Sequence, residues 1–256
     1  MATVEENRRF WEEVYPWPEH GEEWSRGWGG TENLWKYSLL PRLEAYLPSN
    51  RILELATGHG RFTPYLSPLC QSYLGIDLAP HCVEICRERF PGLRFEVNDG
   101  QTLPMAEDGS VDLLFSFFSL IHADIPTLRS YLREFSRILS SEGVAFIHHS
   151  NLAAHSGYFQ RVGGLPKRVQ TWLFDLGLID LPQWREPTVS ASVVKELAAE
   201  TGLRVLRQET VNFGSRKTID AFTLLARNDG RWKDAPYQLA ENPGLMHEAM
   251  RVRLGR

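Results

Sequence analysis

The sequence predicts an α/β protein built on a doubly wound, seven-stranded sheet, and three observations carry that expectation. Short apolar runs alternate with amphipathic stretches through the middle of the chain. A turn rich in small residues, "ATGHG", follows the first of those runs. Two strand-like runs then lie close together near the end, spaced as an antiparallel hairpin requires.

The runs "RILELA" (51–56), "SYLGIDL" (72–78), "LRFEVND" (93–99), "VDLLFSFFSL" (111–120) and "GVAFIHHS" (143–150) read as strands. Several are apolar enough to be buried on both faces, as parallel-sheet strands are. Between them, residues 60–69, 80–90 and 125–139 carry helical spacing. Pro80 and Pro126 stand near helix starts, where a missing N–H does no harm. After Ser150 the alternation stops: residues 151–187 mix aromatics, glycines and basic side chains in a stretch too long for an ordinary loop, which predicts a lid or substrate insertion. A helix follows in "SASVVKELAAETG", with Ser190 as N-cap and Gly202 as its stop. "LRVLRQETVNF" and "KTIDAFTLLARN" then form the hairpin, which inserts one antiparallel strand where a plain dinucleotide fold would continue with crossovers. The expected division is a cap over 1–48, a main domain over 49–228 containing the insertion, and a tail over 229–256.

Five of the eight tryptophans, Trp11, Trp17, Trp24, Trp28 and Trp35, fall in the cap. Either they staple the cap to the sheet, or "WSRGWGGTENLW" folds over a site and stacks rings on a substrate.

Composition narrows the partners. In 256 residues, 28 Lys and Arg face 32 Asp and Glu, a mild acidic excess that leaves no broad footprint for nucleic acid or an anionic membrane. Small molecules are the expected ligands, and oligomeric state is not legible. No apolar run has the length of a membrane span, and "MATVEENRRF" lacks the pattern of a signal peptide, so a cytoplasmic protein is expected. Three cysteines suggest reduced thiols. Cys82 and Cys86 share a helical face, but the third thiol of a Cys-x3-Cys-x2-Cys cluster would fall at Arg89. With no dense carboxylate or histidine spacing elsewhere, no metal is expected.

The turn itself sits where an open α/β sheet binds ligands, at the carboxyl end of the first strand. It is not a dinucleotide fingerprint: counted from Gly58 the sixth position is Thr63, and counted from Ala56 it is Arg61. No Gly-Lys-Ser or Gly-Lys-Thr follows, which excludes a P-loop. What remains is an acid, Glu54, and small residues at Ala56, Gly58 and Gly60 that let backbone approach a ligand closely. Asp77 closes the second strand, placed to accept from ribose hydroxyls, and Asp99 closes the third, placed to accept from an adenine amine. Each acid also has a structural reading: Glu54 could tie down a helix turn and Asp77 could cap the helix after Pro80.

The order "LELATGHGR", "GIDLAP", "NDGQTLPMAEDGSVDLLFSFFSLIH" and "REFSRILSSEGVAFIHH" resembles the class I S-adenosylmethionine-dependent methyltransferases, over roughly Arg51 to Ser150. That resemblance implies a Rossmann-like sheet with S-adenosylmethionine as cofactor and S-adenosylhomocysteine as product. It places Glu54, Gly58 and Gly60 at the methionine part, Asp77 and Leu78 at the ribose, Asp99 and Gly100 at the adenine, and Ser116 and Phe117 on the cofactor's other side. Ala56 departs from the family, which usually has glycine there.

Methyl transfer requires a nucleophile in line with the departing sulfur, and a hydroxyl acceptor also needs its proton removed. His149 and His122, at the ends of two strands, are the candidate bases, with His148 expected to face away from the pocket. Asn151 is a candidate to orient the acceptor. "FIHHSNL", "QWREPTVSA" and the tryptophan-rich cap look similar to a bacterial group that methylates sugars and secondary-metabolite intermediates. On that footing Trp28, Trp35 and Trp184 would stack on the acceptor and Arg185 would hold a nucleotide diphosphate handle. The expected activity is O-methylation of such a small molecule. N-methylation of an amino sugar and a catalytically inactive cofactor-binding partner protein are the alternatives.

Overall fold

The structure is a computed structural model and describes residues 3–254. Its sheet comprises β1 (Ser49–Leu55), β2 (Cys70–Asp77), β3 (Arg94–Val97), β4 (Val111–Ser116), β5 (Leu139–Ser150), β6 (Leu203–Val211), β7 (Asp220–Arg227) and β8 (Gln238–Asn242). The strand order is β3-β2-β1-β4-β5-β7-β6-β8. The first five strands run parallel, and β7 lies antiparallel between β5 and β6. The order reverses at β1, whose neighbours are β2 on one side and β4 on the other, so the crevice opens at the carboxyl ends of these three strands.

The expected sheet had seven strands; the structure has eight. Gln238–Asn242 pairs with β6 in parallel register and extends the sheet at that edge. Its sequence, QLAEN, is polar and half exposed, as edge strands are, and so lacks an apolar signature. The region expected to be a tail also forms a helix, Leu245–Arg253, tied to the cap by the pair of Glu248 with Arg42 at 2.9 Å.

Alternating side chains on the central strands build two cores. Ile52, Phe115, Phe146 and Phe222 face the cap, where Trp28, Trp35, Leu39 and Leu43 complete one cluster. Leu53, Leu114, Ala145 and Leu225 face the other way, against Leu132 and Phe135 of the helix Ile125–Ile138 and Val194 and Leu197 of the helix Ala191–Glu200. The helix ends follow their caps: Asp124 accepts from the Thr127 N–H at 2.9 Å, and Ser190 from that of Val193 at 3.3 Å. The helix expected over 60–69 is only one turn, Thr63–Leu66, followed by a 3₁₀ turn at Ser67–Leu69. Pro68 supplies no N–H to continue it.

Residues 151–187 contain the helices Ser156–Gly163 and Lys167–Asp175. The second turns its chemistry outward: it buries Gln170 and exposes Val169, Trp172 and Phe174.

Candidate active site

One large pocket, about 1130 Å³ with its open mouth included, lies at the carboxyl ends of β1, β2 and β4. The sheet and its turns form its floor, and the cap forms its roof through Trp11, Trp17, His20, Gly21 and Trp24.

At one end the walls are Glu54, Ala56, Gly58, Asp77, Leu78, Asn98 and Gly100. Asp77 holds the turn: Oδ2 accepts from the Gly58 N–H at 2.7 Å and Oδ1 from the Ala79 N–H at 2.9 Å. A carboxylate has lone pairs to spare beyond those two bonds, so it can still accept from a ligand. Burial pushes its pKa up to about 6, against the pull of those N–H donors. Glu54 is also buried, which raises it to about 7, while hydrogen bonds from Tyr73 at 2.5 Å and Thr63 at 3.1 Å lower it. Ala56 occupies φ +62, a left-handed conformation that costs a non-glycine residue about 1–2 kcal/mol. Asn98 donates to Tyr131 Oη at 2.9 Å, but its Oδ1 is buried without a partner. An unpartnered acceptor in a pocket wall, beside a carboxylate and a turn of small residues, fits the sugar and base edges of a nucleoside.

The other end is aromatic, with Phe62, Phe115, Phe117 and Phe118 below Trp11, Trp17 and Trp24. His122 lies in this wall, and its Nδ1 is 2.6 Å from the Trp184 carbonyl oxygen. A carbonyl only accepts, so Nδ1 carries the proton and Nε2 is left as the basic nitrogen. Burial lowers the His122 pKa, which keeps the ring neutral and able to receive a proton. Three non-glycine residues around it adopt positive φ: Phe118 (+65), Gln183 (+49) and Trp184 (+63). Phe118 is held there by donating its N–H to His148 Nδ1 at 3.2 Å. Backbone held in such conformations is characteristic of functional sites.

Several expected site residues lie elsewhere. His149, expected to face the crevice, is fully buried behind it, with Nδ1 2.8 Å from the Ser150 carbonyl and Nε2 2.7 Å from Thr223 Oγ1. Both nitrogens are engaged, and burial lowers the pKa to about 4. His148 is the neighbour that reaches toward the pocket wall, through Phe118; the alternation along β5 was read with the wrong phase. Asn151 is buried, donating to the Thr218 carbonyl at 2.8 Å and accepting from the Ala191 N–H at 2.9 Å. Arg185 grips buried Asp220 through two bonds, at 3.1 and 2.9 Å, so it presents no charge to a diphosphate. Trp28 and Trp35 are core residues against Phe213 and Tyr65. The Trp184 ring is 70% exposed and packs edge-on against Phe10; its carbonyl, not its indole, meets the site.

Three cofactor expectations shift as well. The Asp99 carboxylate closes its own turn, accepting from the N–H groups of Gln101 and Thr102 and from Thr102 Oγ1, while Asn98 and Gly100 line the pocket. Gly60 and Ser116 sit behind the wall; Ser116 Oγ is 2.9 Å from Ser119 Oγ. Phe117 remains in it.

Reasoning from sequence missed Asn98, Arg61, Tyr131 and the roof residues Trp11, Trp17 and His20, whereas Trp24 belongs to the stretch offered as folding over a site. The tryptophans were visible as a cluster, but nothing local separates a roof ring from a core ring. His20 Nδ1 lies 2.9 Å from His59 Nδ1, and Trp17 stacks on His59 at 4.2 Å, so the roof is fastened directly to the turn after β1. No group of three or more metal-binding side chains occurs among the described residues. No helix among them is long and apolar enough to cross a membrane.

Residues 52–143 match a family model described as a methyltransferase domain. The phthiotriol/phenolphthiotriol dimycocerosates methyltransferase of Mycobacterium tuberculosis is 29% identical over 154 residues, covering 58% of this chain and 51% of that protein. The fatty-acid O-methyltransferase of Mycolicibacterium smegmatis is 25% identical over 186 residues, covering 70% of this chain and 54% of that protein. The chain thus spans about half the length of the curated relatives it matches. Among solved structures, a TehB-like SAM-dependent methyltransferase from Corynebacterium glutamicum superposes with a TM-score of 0.53 at 19% identity, over 82% of this chain and 99% of that one. This likeness establishes the methyltransferase fold, with its mixed sheet and antiparallel hairpin.

Proposed function

With residues 52–143 a methyltransferase domain on the fold of S-adenosylmethionine-dependent methyltransferases, we propose that the chain transfers the methyl group of S-adenosylmethionine to an oxygen of a small molecule held under the aromatic roof. The observation that carries this reading is one continuous pocket with a polar end lined by Asp77 and Asn98 and an aromatic end, the latter holding a histidine whose tautomer is set.

S-adenosylmethionine, when bound, supplies an electrophilic methyl group on a sulfonium. Asp77 would accept from the ribose hydroxyls and Asn98 Oδ1 from a donor on the nucleoside, and Glu54 would stand at the cationic methionine end. With the cofactor bound, His122 Nε2 would receive the hydroxyl proton of the acceptor as its oxygen is methylated. The resulting imidazolium is stabilised through Nδ1–H by the Trp184 carbonyl. The roof excludes water and orients the acceptor through ring faces.

The acceptor is a hydroxylated secondary-metabolite intermediate with a broad apolar face. The aromatic walls suit such a face on a lipid alcohol or on a sugar ring, and the names of the two mycobacterial relatives favour the lipid. Transfer of labelled methyl from S-adenosylmethionine to a panel of hydroxylated lipids and sugars tests this. His122→Gln is expected to lower kcat about 10²–10⁴-fold and remove the rise of rate with pH. Equal turnover in the variant at every pH would remove His122 from the chemistry, and labelling of amines alone would replace oxygen by nitrogen.

A further inference from the structure

Two of the most deeply placed arginines among the described residues are neutralised by acids, and a third is not. Arg42 meets Glu209 at 2.6 Å and Glu248 at 2.9 Å, and Arg185 meets Asp220 at 2.9 Å. Arg61 is as buried, at 7% exposure, yet has no ion-pair partner among the described residues. Its Nη1 donates to Ser25 Oγ at 3.1 Å and, at 3.4 Å, to the Gly21 carbonyl. Nε and Nη2 make no hydrogen bond among the described residues, and they are not among the fully enclosed atoms without a partner. Arg61 lines the pocket, so these donors have only the pocket to turn to.

Glu22, Glu54 and Glu23 lie near enough to favour the Arg61 charge, but none forms an ion pair with it, and each accepts from other donors. Glu54 accepts from Tyr73 and Thr63, Glu22 from the Thr31 N–H, and Glu23 from Tyr15 and the Gly21 N–H. What surrounds the guanidinium is aromatic: its carbon lies 4.6 Å from the centre of the Phe62 ring, 5.4 Å from Trp24 and 5.8 Å from Phe117. Cation–π contact offsets part of the cost of burying the charge but leaves the in-plane N–H donors unsatisfied. Burial draws the Arg61 pKa down to about 10, against the pull of Glu22, Glu54 and Glu23, and leaves it charged at neutral pH. A planar, charged fork of donors, fixed on aromatic faces and open on one side, matches an oxyanion.

We propose that Arg61 is the anion-binding residue of the pocket, and that the ligands of this site bring a carboxylate or phosphate oxygen to Nε and Nη2. This rests on the methyltransferase reading for one of its two possible sources, the amino-acid carboxylate of the cofactor. The other source is an anionic group on the acceptor, placed under the same roof.

Calorimetric titration of wild type, Arg61→Met and Arg61→Lys with S-adenosylhomocysteine and with 5′-methylthioadenosine, which lacks the amino acid, tests the first source. Ligand-observed NMR with octanoate and octyl phosphate, and octanol as the neutral control, tests the second on the same proteins with S-adenosylhomocysteine present. A loss of tenfold or more for S-adenosylhomocysteine in Arg61→Met, with methylthioadenosine unchanged and Arg61→Lys intermediate, assigns Arg61 to the cofactor carboxylate. Unchanged cofactor affinity with loss of saturable octanoate or octyl phosphate binding assigns it to the acceptor. If folded Arg61→Met binds both adenosine ligands and both anions as wild type does, Arg61 only fastens the roof and the proposal is overturned; a lowered Tm by itself would reflect that fastening. Failure of wild type to bind either adenosine ligand would instead strike at the cofactor reading, with the anion arm still deciding Arg61.

Discussion

Gly58→Ala probes the contact between the turn after β1 and the roof, and its cost can be worked from the structure. Gly58 sits at φ +54, where a side chain costs about 1–2 kcal/mol. A Cβ there would lie 2.7 and 2.9 Å from two carbons of the Trp17 ring, closer than real Cβ contacts come. The indole cannot move freely: it donates to the Trp11 carbonyl at 3.1 Å, stacks on His59, and packs against Tyr15 and Trp24. Overpacking at such a site costs about 1–3 kcal/mol. The total, about 2–5 kcal/mol, corresponds to a fall in Tm of roughly 5–15 °C for a chain of this size. Thermal unfolding followed by circular dichroism measures it. Adding Trp17→Ala should recover the steric part, so that the double variant is more stable than the two single effects summed would allow. A Tm for Gly58→Ala within about 1 °C of wild type, or strict additivity in the double variant, would refute the contact.

Two further outcomes follow from residues the structure moves out of the pocket. His149, with its pKa lowered to about 4, stays neutral in the fold but protonates near 6.5 when unfolded. Its contribution is therefore present above about pH 6.5 and is lost as pH falls toward 4, amounting to as much as about 3 kcal/mol. Urea unfolding of His149→Gln should show a shallower loss over that window, with kcat within a few-fold of wild type; an unchanged pH profile would contradict it. Arg185→Ala should cost about 3–5 kcal/mol in the same assay, because it leaves the buried Asp220 carboxylate with only His148 Nε2, 3.6 Å away, as a charge partner. Removing Asp220 as well should restore part of that loss, and no recovery would show that the pair is not the cause.

The parallel strands were legible because each is a short apolar run between helical stretches, and the hairpin because its two runs are separated by so little chain. β8 was not, since an edge strand of mixed polarity has no apolar period to read. Within the pocket, Glu54, Ala56, Gly58, Asp77 and His122 were marked by their place at strand ends, and Leu78, Gly100 and Phe117 by the family resemblance. The choice of His149 over His148 turned on the phase of a strand end, where a turn breaks the alternation, and the expectation placed on Asp99 passed over its neighbour Asn98. Asn151, Arg185, Trp28 and Trp35 carry the right chemistry for ligand contact, but long-range partners such as Thr218, Asp220, Phe213 and Tyr65 satisfy them inside the protein. Those partners are remote in sequence, so no local pattern announces them. Arg61 is the reverse case: nothing local in the sequence marks a basic residue after the turn as one that the fold buries without an ion pair.

Calorimetric titration of wild type and Asp77→Asn with S-adenosylhomocysteine tests the central claim most directly. The account predicts one saturable site in wild type and a loss of roughly 10–100-fold in the variant, as removal of charge-assisted bonds worth about 1.5–3 kcal/mol requires. No binding to wild type, or equal affinity in a folded Asp77→Asn protein, would contradict the assignment of this pocket to the cofactor.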